Sequence, residues 1–343
     1  MSSQGMRNGH GRTRHLRAVL VSAGVAALVA DAIVADRMFA FALDSRNRHR
    51  MMHRQREDCD GASSQTGGDE SRDARRWFEE TRHSVRIRSD DGLDLYGWVV
   101  DPDSAGPRPH RYAICCHGFS GGPGEMATYA RRLARMGFTV LLIAQRCHER
   151  SQGRYVGMGW LEHYDLLRWI DMIVRYDARA RILLDGVSMG AATVMMASGD
   201  PRLPGNVAAA IADCGFTSAW DQFLFNARSL YHLPRAFAVA VVSSMSLVSR
   251  IRAGYGLRQA SSVAMLANAH IPMLFIHGAA DDFVSPACLR RNFEACSSPM
   301  RRMLVIAGAG HATSANTDPN RYWRAVAQFV HDVFDVSADS GLA

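Results

Sequence analysis

Ile182-Leu183-Leu184-Asp185-Gly186-Val187-Ser188-Met189-Gly190-Ala191-Ala192-Thr193-Val194 decides the reading of this chain. A short apolar run leads into a glycine, a serine stands two residues on, a second glycine follows, and small residues continue. Continuous apolar runs of this length suit strands buried on both faces of a parallel sheet. A serine that acts as a nucleophile has to stand on a sharp strand-to-helix turn. Flanking glycines allow the close backbone approach of that turn, and the helix N-terminus offers N–H groups to an anion. The five-residue pattern alone is weak in a chain with 29 glycines and also fits a tight turn with a capping serine. The strand before it and the helix after it favour the nucleophile.

Outward from this turn the same rhythm repeats. Val85–Arg88 and Leu93–Val100 alternate around Asp91-Gly92, which predicts an antiparallel hairpin. Apolar runs follow at Tyr112–Cys116, Phe138–Ala144, Val207–Asp213, Met273–Ile276 and Met303–Ile306. Between them lie helix-like segments at Glu125–Met136, Leu161–Asp177, Ala191–Ser198, Pro286–Ala295 and Arg321–Phe334. Alternating strands and helices predict an α/β fold, a doubly wound and mostly parallel sheet. Residues 216–268 separate two strands by more than a crossover helix needs, and are read as an inserted helical cap.

A serine nucleophile needs a base, and the base needs a carboxylate to orient it. In a fold of this kind the partners follow in the order serine, acid, histidine, on loops after late strands. After Met273–Ile276 comes His277-Gly278-Ala279-Ala280-Asp281-Asp282, and after Met303–Ile306 comes Ala307-Gly308-Ala309-Gly310-His311. His311 is the candidate base; Asp281 and Asp282 compete for the orienting role. An acyl-transfer intermediate also needs two N–H donors on its oxyanion. The N–H of Met189 is one candidate. The other is the N–H of Phe119, in the loop His117-Gly118-Phe119-Ser120-Gly121-Gly122-Pro123 that follows an earlier strand. His117 reads as structural.

Ser188, Asp281 and His311, with His117-Gly118-Phe119, resemble the serine α/β-hydrolases over about residues 84–335. More narrowly, the chain is similar to N-terminally anchored bacterial α/β-hydrolases of the serine aminopeptidase-like, or acylglycerol lipase-like, type. The stretches that carry this are residues 155–160, 186–196, 213–218, 251–255 and 308–312. The resemblance implies the α/β-hydrolase fold and an uncleaved anchor. It also implies that Asp281, in the pattern His-Gly-x-x-Asp-x-x-Val, is the triad acid. Two departures stand out. The loop that in many members reads Arg-Gly-His-Gly-x-Ser is here Arg146-Cys147-His148-Glu149-Arg150-Ser151, with both glycines replaced. Ser285 follows Val284, where the family often has proline.

The reading of function is a serine hydrolase that cleaves a carboxylic ester or related acyl compound through an acyl-enzyme on Ser188. The substrate is a small acyl molecule with an apolar group, matching apolar cap residues such as Phe223, Phe225 and Phe237. A peptidase using the same triad is one alternative. An aminopeptidase would need an acid for the substrate ammonium, and Asp221 is a weak candidate. A non-catalytic, membrane-tethered binding protein is the other alternative. No cofactor or metal site is implied.

Composition sets the outer limits. The chain has 343 residues, a net charge of +7 and 48% hydrophobic residues, which suits one large α/β domain with additions and excludes wholesale disorder. All 40 basic residues are arginine, so no Schiff-base or P-loop lysine chemistry is available. The arginines are spread along the chain without an aromatic-interleaved basic run, which argues against nucleic acid. Seven cysteines without a Cys-x-x-Cys pair read as buried apolar residues, not as a disulfide framework or zinc site.

Residues 1–43 are read as a polar segment and hydrophobic anchor that attaches the protein to a membrane. Ala18–Ala30 is uncharged and Asp31 interrupts it. An uncleaved anchor over about Leu16–Ala35, a signal peptide and an amphipathic helix all fit, and the anchor is preferred. Arginines flank both ends and leave the orientation open. A cleaved signal would make the protein secreted. Residues 44–83 are read as linker and lead-in, 84–335 as the hydrolase domain, and 336–343 as a tail.

Overall fold

The computed structural model describes residue 22 and residues 29–47, 68–103 and 108–335. The expectations for the polar N-terminal segment, the glycine- and serine-rich linker over 61–67, Cys59 and the 336–343 tail lie outside the described residues.

Eight strands form one sheet: β1 (His83–Arg88), β2 (Asp94–Val100), β3 (Arg111–Cys116), β4 (Thr139–Ile143), β5 (Arg181–Val187), β6 (Val207–Asp213), β7 (Met273–Gly278) and β8 (Arg301–Ile306). Their order is β1-β2-β4-β3-β5-β6-β7-β8. Only β2 pairs antiparallel with its neighbours β1 and β4; β4 through β8 run parallel. Alternate residues of β5 feed opposite faces. Leu183 joins one core, while Ile182 and Leu184 join the other. That two-sided burial is why the central strands read as unbroken apolar runs.

Helices cover both faces. On one lie α2 (Gly68–Thr81), α3 (Ala127–Arg135) and α11 (Pro319–Phe334), contributing Phe78, Leu133 and Phe329. On the other lie α4 (Trp160–Tyr176), α5 (Met189–Ser198) and α9 (Ala287–Ala295), contributing Trp169, Val194 and Leu289. The reading of 44–83 as linker is corrected over α2: Ala74 and Phe78 are fully buried, and the Phe78 ring meets Trp98 edge-on at 6.4 Å. Little in the residue pattern signals this, because α2 is polar apart from one narrow stripe.

The stretch between β6 and β7 holds α6 (Ala219–Ser229), α7 (Arg235–Ala253) and α8 (Ser262–Leu266). Leu266 belongs to the core under the sheet, so α8 is part of the crossover; the excursion itself is α6 and α7. Its neck is closed by an antiparallel bridge between Ser218 and Ser261, and by Ala219 N–H donating to Ala260 O at 2.8 Å. Helix α7 buries Ala238, Val242, Met245 and Ser249, one stripe at helical spacing, and exposes Phe237, Leu247 and Ile251.

Residues 29–43 form a helix, α1, and it is no detached tether. Ala35, Phe39 and Leu43, spaced by four, are fully buried. Phe39 and Leu43 join a third apolar cluster with Val156, Met189, Met196, Val242 and Tyr255. Asp31, the residue that interrupts the apolar run, accepts a hydrogen bond from Ser244 on α7, and Asp36 pairs with Arg252 at 2.7 Å. Past the helix, Val156 N–H donates to Leu43 O at 2.9 Å, and an isolated bridge joins Asp44 to Tyr155. The expected boundary at 43/44, with the folded domain starting near 84, is therefore moved. The stretch from Ala35 to Ser45 is built into the body of the molecule. Among the three readings of this segment, the described part has the burial pattern of the amphipathic helix.

Candidate active site

The order of strands reverses at β3 and β5, which lie side by side but lead off in opposite directions. Crevices beyond the C-terminal ends of strands at such a point are where ligands bind in open α/β sheets. The loop after β3 carries Phe119, and the turn after β5 carries Ser188.

Ser188 stands at φ +57° and ψ −114°, a left-side backbone conformation that costs roughly 1–3 kcal/mol in a non-glycine residue. The turn is held by Ser188 N–H donating to Asp213 O at 2.8 Å and by the two glycines. A Cβ on Gly186 would stand 2.3 Å from Gly190 O, and one on Gly190 would stand 1.9 Å from Cys116 O. Both positions exclude a side chain because backbone crosses backbone there. The loop after β3 packs against the turn at ordinary contact distance: a Cβ on Gly118 would lie 3.5 Å from that of Ser188.

Ser188 Oγ lies 2.9 Å from His311 Nε2, and His311 Nδ1 lies 2.8 Å from Asp281 Oδ2. With Nδ1 facing a carboxylate, the imidazole proton belongs on Nδ1, and Nε2 is left to accept from Ser188. Asp281 Oδ1 accepts from the N–H groups of Phe283 at 3.0 Å and Val284 at 2.8 Å. Burial pushes the Asp281 carboxyl up, but hydrogen bonds from the His277 and His311 rings and from Val284 N–H outweigh it, and its pKa lies well below the usual range. Asp282 is exposed, and it is Asp281 that faces the His311 ring.

Met189 opens α5 beside Ser188 and is fully buried. The Phe119 carbonyl accepts from His148 Nε2 at 2.8 Å, and His148 Nδ1 lies 2.7 Å from Arg146 O. One ring therefore ties the loop after β4 to the loop after β3. That loop keeps its turn without glycine: Cys147 sits at φ +67° and Glu149 at φ +45°, at the two positions where the resemblance leads one to expect glycine. His117 has both nitrogens engaged, Nδ1 with Gly118 O at 2.8 Å and Nε2 with Gln145 N–H at 3.1 Å.

The contacts of His148 with the Phe119 loop and of His277 with Asp281 were not foreseen from sequence. His277 offered one signal, its place at the end of β7 four residues before Asp281. Among the described residues one group has metal-ligand spacing, Cys214, Asp281 and His311, with one donor atom from each within 4.8 Å of one another. It does not suit a metal. Burial pushes the Cys214 thiol well above its ordinary pKa, and the other two ligands are already bonded to each other and to Ser188.

Residues 107–266 match the family model described as serine aminopeptidase, S33. The Bacillus subtilis protein YqkD, itself uncharacterized, is 28% identical over 246 residues, 71% of this chain and 77% of its own. The Pyrococcus furiosus esterase Pf2001 superposes with a TM-score of 0.58 at 20% identity, over 74% of this chain and 92% of that one. The acylaminoacyl peptidase of Pyrococcus horikoshii does so with a TM-score of 0.53 at 19% identity, over 75% of this chain and 43% of that one. These likenesses give the chain the α/β-hydrolase fold, and its sheet, turn and loop order follow that fold.

Proposed function

We propose that this α/β-hydrolase cleaves carboxylic esters of apolar acyl or alcohol groups through an acyl-enzyme on Ser188. The observation that carries the reading is the continuous relay from Ser188 Oγ to His311 to Asp281, at 2.9 and 2.8 Å. His311 Nε2 takes the Ser188 proton as Oγ attacks the ester carbonyl. Asp281 holds the ring in the tautomer that can do so and stabilises the imidazolium that forms. The N–H groups of Met189 and Phe119 are proposed to carry the oxyanion. The tetrahedral intermediate expels the alkoxide, which takes the proton from His311. Water then attacks the acyl-enzyme with His311 again as base, releasing the acid and restoring Ser188.

Two observations favour an ester over an aminopeptide. Asp221, the candidate for binding a substrate ammonium, is taken up by Thr217 Oγ1 at 2.7 Å and by Arg291 at 3.2 Å. Around the serine the surroundings are apolar, with Met189, Phe216, Phe119 and Phe283 in one cluster. Membrane attachment is part of the same proposal. Val29 and Ile33 on α1 and Phe237, Leu247 and Ile251 on α7 are all more than half exposed, and in the sequence the uncharged run Ala18–Ala30 runs into α1.

The test is a panel of acyl esters and aminoacyl amides with wild type and Ser188→Ala. Ester turnover and fluorophosphonate labelling are expected for wild type. Both should vanish in Ser188→Ala, with a loss on the order of 10⁴- to 10⁶-fold in rate and an unchanged fold. Faster turnover of aminoacyl amides than of esters would establish the peptidase instead.

A further inference from the structure

We propose that His277 is a positioning residue for the catalytic acid, a second histidine that holds the same Asp281 oxygen as His311. The inference rests on the Ser188–His311–Asp281 reading and assigns a further residue to it.

His277 ends β7 and is 1% exposed. Its Nε2 lies 3.0 Å from Val284 O and 3.2 Å from Asp281 Oδ2. Both neighbours are acceptors, so the ring must carry its proton on Nε2 and share it between them. Nδ1 is buried and has no hydrogen-bond partner. A core histidine that served packing alone would have no reason to aim its one donor at the oxygen that orients the catalytic base.

The consequence follows from the count of lone pairs. Asp281 Oδ1 is held by two backbone N–H groups of its own loop. Oδ2 faces two rings, His311 at 2.8 Å and His277 at 3.2 Å. Without His277 the Oδ2 end is fixed only by the ring it is supposed to orient. The carboxylate could then swing about the Oδ1 anchor, and the population with a straight Nδ1–H to Oδ2 bond would fall. The other ionisable group facing His277 is the buried Asp213 of β6, whose carboxylate acts on the ring through charge.

The experiment compares His277→Gln, His277→Asn and His277→Leu in the full chain. A glutamine amide nitrogen can reach the position of Nε2; an asparagine, one bond shorter, and a leucine cannot supply the donor there. For His277→Asn and His277→Leu, kcat on a soluble ester should fall roughly 10- to 100-fold with KM within about twofold, as for other supporting contacts to a reacting group. The acid limb of kcat/KM should shift away from that of wild type. His277→Gln should recover most of the rate and the wild-type limb. Folded His277→Asn with a wild-type rate and acid limb would overturn the proposal. So would His277→Gln performing no better than His277→Asn while both keep the wild-type melting temperature. If Ser188→Ala retains turnover, it is the triad reading that fails, and the His277 result is then read against a different nucleophile.

Discussion

At the scale of single residues the site depends on which of two adjacent carboxylates faces inward. Asp281 and Asp282 are separated by the family resemblance and by the loop geometry: Asp281 caps two N–H groups of its own turn while Asp282 is left in solvent. Asp281→Asn should lower kcat by about 10⁴-fold, because an amide there favours the wrong imidazole tautomer. Asp282→Asn should stay within a few-fold of wild type, and equal losses would reverse the assignment. A second carboxylate sets the response of stability to pH. Asp185 on β5 is buried; burial first, and then the charge of Asp213, push its pKa from 3.8 up to about 7. A group whose folded pKa is raised contributes its stability below the unfolded value, and that contribution is lost as pH rises through the folded one. The window here runs from about pH 4 to pH 7. Asp185→Asn should therefore gain stability relative to wild type between pH 4 and pH 8, on the order of 3 kcal/mol. Urea unfolding at the two pH values measures this, and a difference that does not change with pH would contradict the raised pKa.

At the scale of elements, what could be read in advance was whatever repeats with a strong period. The runs of β3 to β8 and the helices between them stand close to where their apolar patterns put them, as does the antiparallel pair β1 and β2. The strand-to-helix turn at Ser188 was legible because its two glycines are forced by backbone contact and have no substitute. The loop from Arg146 to Ser151 was not, since a left-handed turn carried by Cys147 and Glu149 leaves no glycine signal. Helix α1 was misjudged for a different reason. An apolar run punctuated by Asp31 and Asp36 looks like a flawed anchor until Ser244 and Arg252 are seen to satisfy those acids. Only the stripe Ala35, Phe39 and Leu43 distinguishes a docked helix, and it is short. Phe39 is the test of that docking. Its ring is fully buried, 5.3 Å from that of Tyr155, in the cluster that also holds Met189. Phe39→Ala should cost about 3–5 kcal/mol in chemical unfolding. A cost below about 1 kcal/mol would return α1 to the status of a tether.

At the scale of the whole molecule the N-terminal region divides into two parts with different work. The first, through Ala30, is arginine-bearing and then uncharged, and is the part proposed to meet a membrane. The second, from Ala35 to Ser45, completes the apolar cluster between α5, α7 and the loop at Val156. Burying Phe39 and Leu43 contributes roughly 1.5–3 kcal/mol each by transfer, so with Ala35 this part supplies on the order of 5 kcal/mol. Domains are stable by about 5–15 kcal/mol in total, so the second part supplies a large share of the stability. Two shortened chains separate the roles. A chain beginning at residue 29 keeps α1 and should match the full chain in melting temperature and in turnover of a short, water-soluble ester. A chain beginning at residue 68 loses α1 and uncovers the cluster around Met189, so it should melt many degrees lower and hydrolyse the same ester more slowly. On anionic vesicles the order changes. The full chain should sediment and remain bound in high salt, because apolar burial is not screened by ions. The chain beginning at residue 29 should bind less, retaining only the exposed faces of α1 and α7. Equal melting temperatures for the two shortened chains would show that α1 does not stabilise the domain, and release of the full chain by salt would replace apolar attachment with an arginine-mediated contact.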